Sequence, residues 1–174
     1  MSQEADQECG EAPAAPLSVL QQARARGNEL FSAERYEEAI EAYTVGLDDE
    51  ECEADPQRYL VLGNRALCHE LIGDFTLSLR DAADAVEAQP TYAKGWWRLA
   101  TACYRLDQRA DVVLYYLNKL LELEPSHREG AELKAAITRQ QQQQAAAGDQ
   151  REQLMRMMQQ MQAAAGGGAA GSHP

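Results

Sequence analysis

The sequence predicts an all-α fold, a solenoid of three helix-turn-helix units closed by a C-terminal capping helix, and three observations carry that prediction. Alanine accounts for 30 of the 174 residues and aromatic residues for only 6%, a mixture that favours helix over a sheet of β-branched and aromatic side chains. Pro56, Pro90 and Pro125 stand 34 and 35 residues apart, a period that marks paired helices stacked into an array. Between these prolines the apolar residues recur at helical spacing.

Leu17 to Phe31 and Tyr36 to Leu47 read as the first helix pair, joined by Ser32-Ala33-Glu34-Arg35. Six acids follow within residues 48 to 55 (Asp48, Asp49, Glu50, Glu51, Glu53, Asp55). Negative charge at a helix C-terminus opposes its dipole, so the helix stops near Leu47 and the run becomes a lengthened, solvated connection. It lacks the alternating acids and glycine of a calcium loop, and it accounts for the 39 residues between Tyr36 and Phe75. Arg58 to Ile72 and Phe75 to Ala88, joined by the turn Gly73-Asp74, make the second pair. Tyr92 to Leu106 and Val112 to Leu123 make the third, across Asp107-Gln108-Arg109. Ser126 then reads as an N-cap with Glu129 at capping-box spacing, and Leu133 and Ile137 continue a seventh helix over the last repeat. The expected division is an acidic tail over 1–16, the repeat domain with its capping helix over 17–139, and a flexible tail over 140–174. That tail holds Gln140 to Gln144, an Ala-Gly break, then Leu154, Met155, Met157, Met158 and Met161 before an Ala/Gly end.

The formal net charge is −12, which argues against nucleic acid and anionic membranes as partners, since both are bound through many Lys and Arg contacts. The longest apolar run, Val112 to Leu117, is far short of the ~20 residues a membrane span needs. The N-terminus carries Glu4, Asp6, Glu8 and Glu11 with no apolar stretch, unlike a secretory signal or an Arg-rich transit peptide. Cys9, Cys52, Cys68 and Cys103 form no Cys-x-x-Cys pair, so no metal or redox site is expected and the thiols read as buried or idle. These features place the chain in the cytosol, with the nucleus open. His69, His127 and His173 fall on separate elements with no nucleophile setting, and Gly166 to Gly168 lacks the Lys-Ser/Thr of a phosphate loop. A non-catalytic protein without cofactor is the expectation.

Two asparagines, Asn28 and Asn64, lie inside first helices, where Asn is a poor choice and such local contradictions mark functional positions. Either they bridge neighbouring helices or they face a ligand. Arg24 precedes Asn28 by four residues, and Lys94 and Arg98 repeat that spacing, so each pair shares a helix face. First helices of stacked pairs line one groove. Three cations and two amides gathered there make a carboxylate receptor, because Arg grips a carboxylate with paired bonds, Lys supplies a point charge and Asn both donates and accepts. Ordinary surface charge is the plainer reading. Trp96 and Trp97 cannot share a face, so one packs inside while the other meets the groove or surface.

The residues resemble the tetratricopeptide repeat family. Gly27-Asn28-x-Leu30-Phe31, Arg35-Tyr36-Glu37-Glu38-Ala39-Ile40 and Tyr43 match its first-repeat pattern, and Asn64-Arg65-Ala66, Gly73-Asp74-Phe75 and Pro90 match the second, with Ser78 where a small Ala is usual. The third unit departs from the pattern at Arg109 and Val112. The resemblance spans about residues 17 to 139 and implies a right-handed solenoid. Arg24, Asn28, Asn64, Lys94 and Arg98 are similar to the two-carboxylate clamp of co-chaperone members, with Arg24 where Lys is usual. The resemblance implies an adaptor that holds the C-terminal Glu-Glu-Val-Asp of the seventy- and ninety-kilodalton heat-shock chaperones. A scaffold for some other acidic peptide or assembly is the alternative. The glutamine- and methionine-rich tail is similar in composition to small glutamine-rich co-chaperones, which implies a hydrophobic client.

Overall fold

A computed structural model of the chain describes residues 17–166. Seven α-helices and no strand occur among the described residues: α1 (Val19–Ser32), α2 (Tyr36–Leu47), α3 (Arg58–Leu71), α4 (Phe75–Ala88), α5 (Ala93–Arg105), α6 (Ala110–Leu123) and α7 (Arg128–Gly166). One 3₁₀ turn, Glu50–Cys52, breaks the acidic connection between α2 and α3. The N-terminal tail with Cys9, the glycines after Gly166 and His173 lie outside the described residues.

The helices pair in order. α1 packs on α2, α3 on α4 and α5 on α6, and the first helices also meet one another, α1 with α3 and α3 with α5. These three form one wall of the stack, and α7 covers α6. Close approach is possible because Ala39, Ala66, Ala82, Ala85, Ala100 and Ala102 stand at the crossings, each fully buried. Ser78 occupies another small position, fully buried and with no hydrogen-bond partner for its hydroxyl. Larger side chains fill the space between helices, Leu20, Tyr43 and Leu62 at one end and Val113, Leu117 and Leu120 at the other. A fully buried Leu contributes about 2 kcal/mol of transfer free energy, so these layers supply much of the driving force.

Turns within the pairs repeat one geometry. Gly73 has φ 85°, and Glu34 and Asp107, at the corresponding turns, have φ 60° and 52°. Only the middle unit uses the residue type that adopts this region without strain. A buried ion pair adds specificity between helices: Arg65 on α3 donates to both carboxylate oxygens of Asp81 on α4 at 2.7 Å each, and to Thr44 Oγ1 on α2 at 2.9 Å.

Three details correct the sequence expectations. The cap of α7 falls on His127 rather than Ser126, because the imidazole Nδ1 accepts from the Gly130 N–H at 3.0 Å. α6 begins at Ala110, two residues before Val112, with Arg109 in the cap position. No break occurs at Ala147-Gly148, and α7 runs through to Gly166. Ala and Gln propagate a helix well, and one interior glycine costs only about 1 kcal/mol. From Arg139 to Gln162 every side chain of this extension is exposed.

Candidate functional site

The first-helix wall carries an amide pair whose orientation is set from behind. Gly27 has no side chain to obstruct α2, and a Cβ there would lie 2.2 Å from the Tyr43 ring. Tyr43 therefore reaches α1, where its hydroxyl donates to Asn28 Oδ1 at 2.8 Å. Asn64 Nδ2 donates to the same oxygen at 3.0 Å. Burial pushes the Tyr43 phenol up to about 12, so the group stays a donor. With its carbonyl accepting twice, Asn28 has only its amide nitrogen left, and that nitrogen has no protein partner among the described residues. Arg24, one turn earlier, donates to Gln57 Oε1 at 2.9 Å and is held toward α3. A cavity of about 230 Å³ opens here, lined by Asn28, Phe31, Ser32, Tyr43, Asn64 and Leu67.

Leu67 also lines a second cavity of about 530 Å³, so the two adjoin along α3. Lys94 and Arg98 form part of its α5 wall. Here too a missing Cβ makes room: at Gly63 it would meet the Tyr92 hydroxyl at 2.6 Å. That hydroxyl accepts a long bond of 3.4 Å from Arg98 Nη1, which also donates to the Lys94 carbonyl at 3.3 Å. Arg98 is only 7% exposed, its Nε has no partner, and no carboxylate of the described residues pairs with it. Burying a cation without a counter-charge costs several kcal/mol. Glu70 lines the same cavity but makes no ion pair with Arg98.

Trp97 borders the second cavity with its ring 4.9 Å from that of His127. Trp96 turns the other way, donating to the Pro90 carbonyl at 2.8 Å and packing on Tyr115 and Tyr116. The structure so assigns the two roles that sequence spacing left open.

Asn28 and Asn64 are brought into direct contact, with Arg24 anchored beside them and Lys94 and Arg98 in the adjoining cavity. Of the two readings of the asparagines, the structure shows the bridge: Asn64 Nδ2 donates to Asn28 Oδ1, and each amide keeps one end free of the other. Sequence reasoning missed Tyr43, Gln57 and Tyr92 as supports, and Glu70, Arg105 and His127 as cavity residues. The glycines at 27 and 63 were the available signal for the first and third of these. No group of three or more potential metal ligands occurs among the described residues. Burial raises the thiols of Cys52, Cys68 (to about 11) and Cys103, which keeps them protonated. No helix is long and apolar enough to cross a membrane among the described residues.

Fold and groove together define a helical-repeat protein with an amide- and cation-bearing groove. No family model matches the chain. It is 35% identical over 104 residues to RNA polymerase II-associated protein 3 of Mus musculus, a match covering 60% of this chain and 15% of that protein. The chain therefore spans a small part of the length of the curated relatives it matches. The first TPR of Spaghetti (RPAP3), solved with HSP90 peptide SRMEEVD, superposes with a TM-score of 0.61 at 29% identity over 69% of this chain and 93% of that one. The second TPR of Spaghetti, bound to the same peptide, gives 0.52 at 30% identity over 59% and 93%. The second TPR domain of human RPAP3, in complex with HSP70 peptide SGPTIEEVD, gives 0.61 at 27% identity over 69% and 95%. The chain belongs to the tetratricopeptide repeat family.

Proposed function

We propose that this chain is a non-catalytic co-chaperone adaptor whose groove captures the C-terminal Glu-Glu-Val-Asp of seventy- and ninety-kilodalton heat-shock chaperones. The observation that carries the reading is the nearly buried, unpaired Arg98 beside Lys94, adjoining the oriented Asn28–Asn64 pair. Arg24, Asn28, Asn64 and Lys94 hold the terminal carboxylates, and Arg98 supplies charge to the acidic side chains upstream. Similar domains solved with such peptides support the assignment. Lys94 and Arg98 in this groove stand in a chain of net charge −12, so they offer an acidic ligand a local cationic surface.

A short flexible ligand that must be ordered on docking binds at micromolar strength, about −8 kcal/mol. Calorimetric titration with a peptide ending in Glu-Glu-Val-Asp tests this, and affinity should fall as salt rises. Lys94→Ala should cost about 1.5–3 kcal/mol, roughly tenfold to a hundredfold, with circular dichroism unchanged. Undiminished binding by that variant would remove Lys94 from the site. Cys52, Cys68 and Cys103 are buried without a disulfide among the described residues, which suits a reducing compartment, and we place the adaptor in the cytosol or nucleus, which fractionation of cells carrying a tagged copy tests.

A further inference from the structure

The second cavity holds charge that the Glu-Glu-Val-Asp ending does not use. Glu70, half-buried on α3, faces this space with Lys94, Arg98 and Arg105, yet its carboxylate makes no hydrogen bond or ion pair among the described residues. Arg105 instead lies over the Phe75 ring, 5.7 Å from its centroid. Lys94 and Arg98 match the acids of the ligand, while Arg105 is taken up by the Phe75 ring. One unpaired anion among them asks for a cation.

Distance says where on the ligand that cation belongs. Lys94 and Arg105 are eleven residues apart on α5, about 16 Å along the axis. An extended peptide advances about 3.3 Å per residue, so a ligand whose terminal residue sits at Lys94 brings the side chain five steps upstream level with Arg105 and Glu70. Resting on the chaperone-tail reading of the groove, we infer that Glu70 is a specificity-determining residue that selects tails with a basic side chain five steps before the terminal residue. The residue between that cation and the acidic ending comes level with the Phe75 end of the cavity, an apolar wall that suits the polarizable thioether of Met. SRMEEVD carries Arg and Met at these two places, whereas SGPTIEEVD carries Thr and Ile. The groove therefore prefers the first type of tail.

The test is calorimetric titration of the full chain, wild type and Glu70→Gln, with SRMEEVD, SAMEEVD and SGPTIEEVD at low ionic strength. Wild type should bind SRMEEVD about threefold to tenfold more tightly than SAMEEVD or SGPTIEEVD. In Glu70→Gln the ratio between SRMEEVD and SAMEEVD should fall to near one. Taking that ratio within one protein cancels the general effect of removing a negative charge, and the peptide change leaves the fold untouched. Equal affinity of wild type for SRMEEVD and SAMEEVD would overturn the inference, as would a ratio that survives in Glu70→Gln. Binding of none of the three would instead overturn the chaperone-tail reading itself.

Discussion

Asn28 is left with only its amide nitrogen unengaged, because its oxygen is already taken by Tyr43 and Asn64. Tyr43→Phe keeps the ring that fills the space over Gly27 but removes one of those donors. The amide is then free to flip, and peptide affinity should drop about threefold to tenfold, near 1 kcal/mol, with the fold retained. Unchanged affinity in the titration would show that Asn64 alone orients Asn28. Arg24, Asn28, Lys94 and Arg98 were legible as facing pairs because i, i+4 spacing fixes which side chains share a helix face. Tyr43 and Gln57 were not, since their contacts cross from one helix to another and depend on packing register. The Trp96–Trp97 choice was hidden for the same reason: adjacent helical residues diverge by about 100°, and only the neighbouring helix says which one turns inward.

At the scale of elements, the proline period and turn residues located all three helix pairs to within a few residues, because those residues act on the local backbone. The cap of α7 was misplaced, since His127 competes with Ser126 only once its ring rests on Trp97. The α3–α4 contact hides a pH dependence of the same tertiary origin. His69 is buried, its Nδ1 has no partner, and its Nε2 lies 3.8 Å from Asp81 Oδ2. Burial lowers the His69 pKa, with Asp81 and Asp74 opposing and Arg65 assisting the shift. A folded value below the unfolded one means that the unfolded chain takes up the proton first. Stability is then complete above the ordinary histidine value of about 6.5 and falls as pH drops from there toward the folded pKa. Thermal melts from about pH 7.5 to about pH 5.5 should show a decline that His69→Gln makes shallower. Parallel declines in the two proteins would place the titration elsewhere.

Over the whole molecule, a groove-bearing unit at 17–139 followed by an appended arm is our proposal for the domain division, and the exposure of every side chain from Arg139 to Gln162 supports it. Gln140, Gln141 and Gln144 still border a cavity at the α5–α6 turn, so deletion after Gln144 is the clean cut. It should shift Tm by less than about 2 °C and leave peptide binding intact. A larger fall would mean that the arm stabilises the repeats. The arm also carries Leu154, Met158 and Met161, about half exposed on one face, and the deletion should abolish capture of hydrophobic clients if that stripe receives them. Composition made the arm legible as separate but not as helical, because an isolated glycine reads as a break in sequence while costing a long helix little. If the groove reads a free terminal carboxylate, one titration shows it: the same Glu-Glu-Val-Asp peptide as free acid and as C-terminal amide. The clamp predicts that amidation removes most of the binding, whereas equal affinity for the two forms would contradict it and leave a basic patch without end recognition.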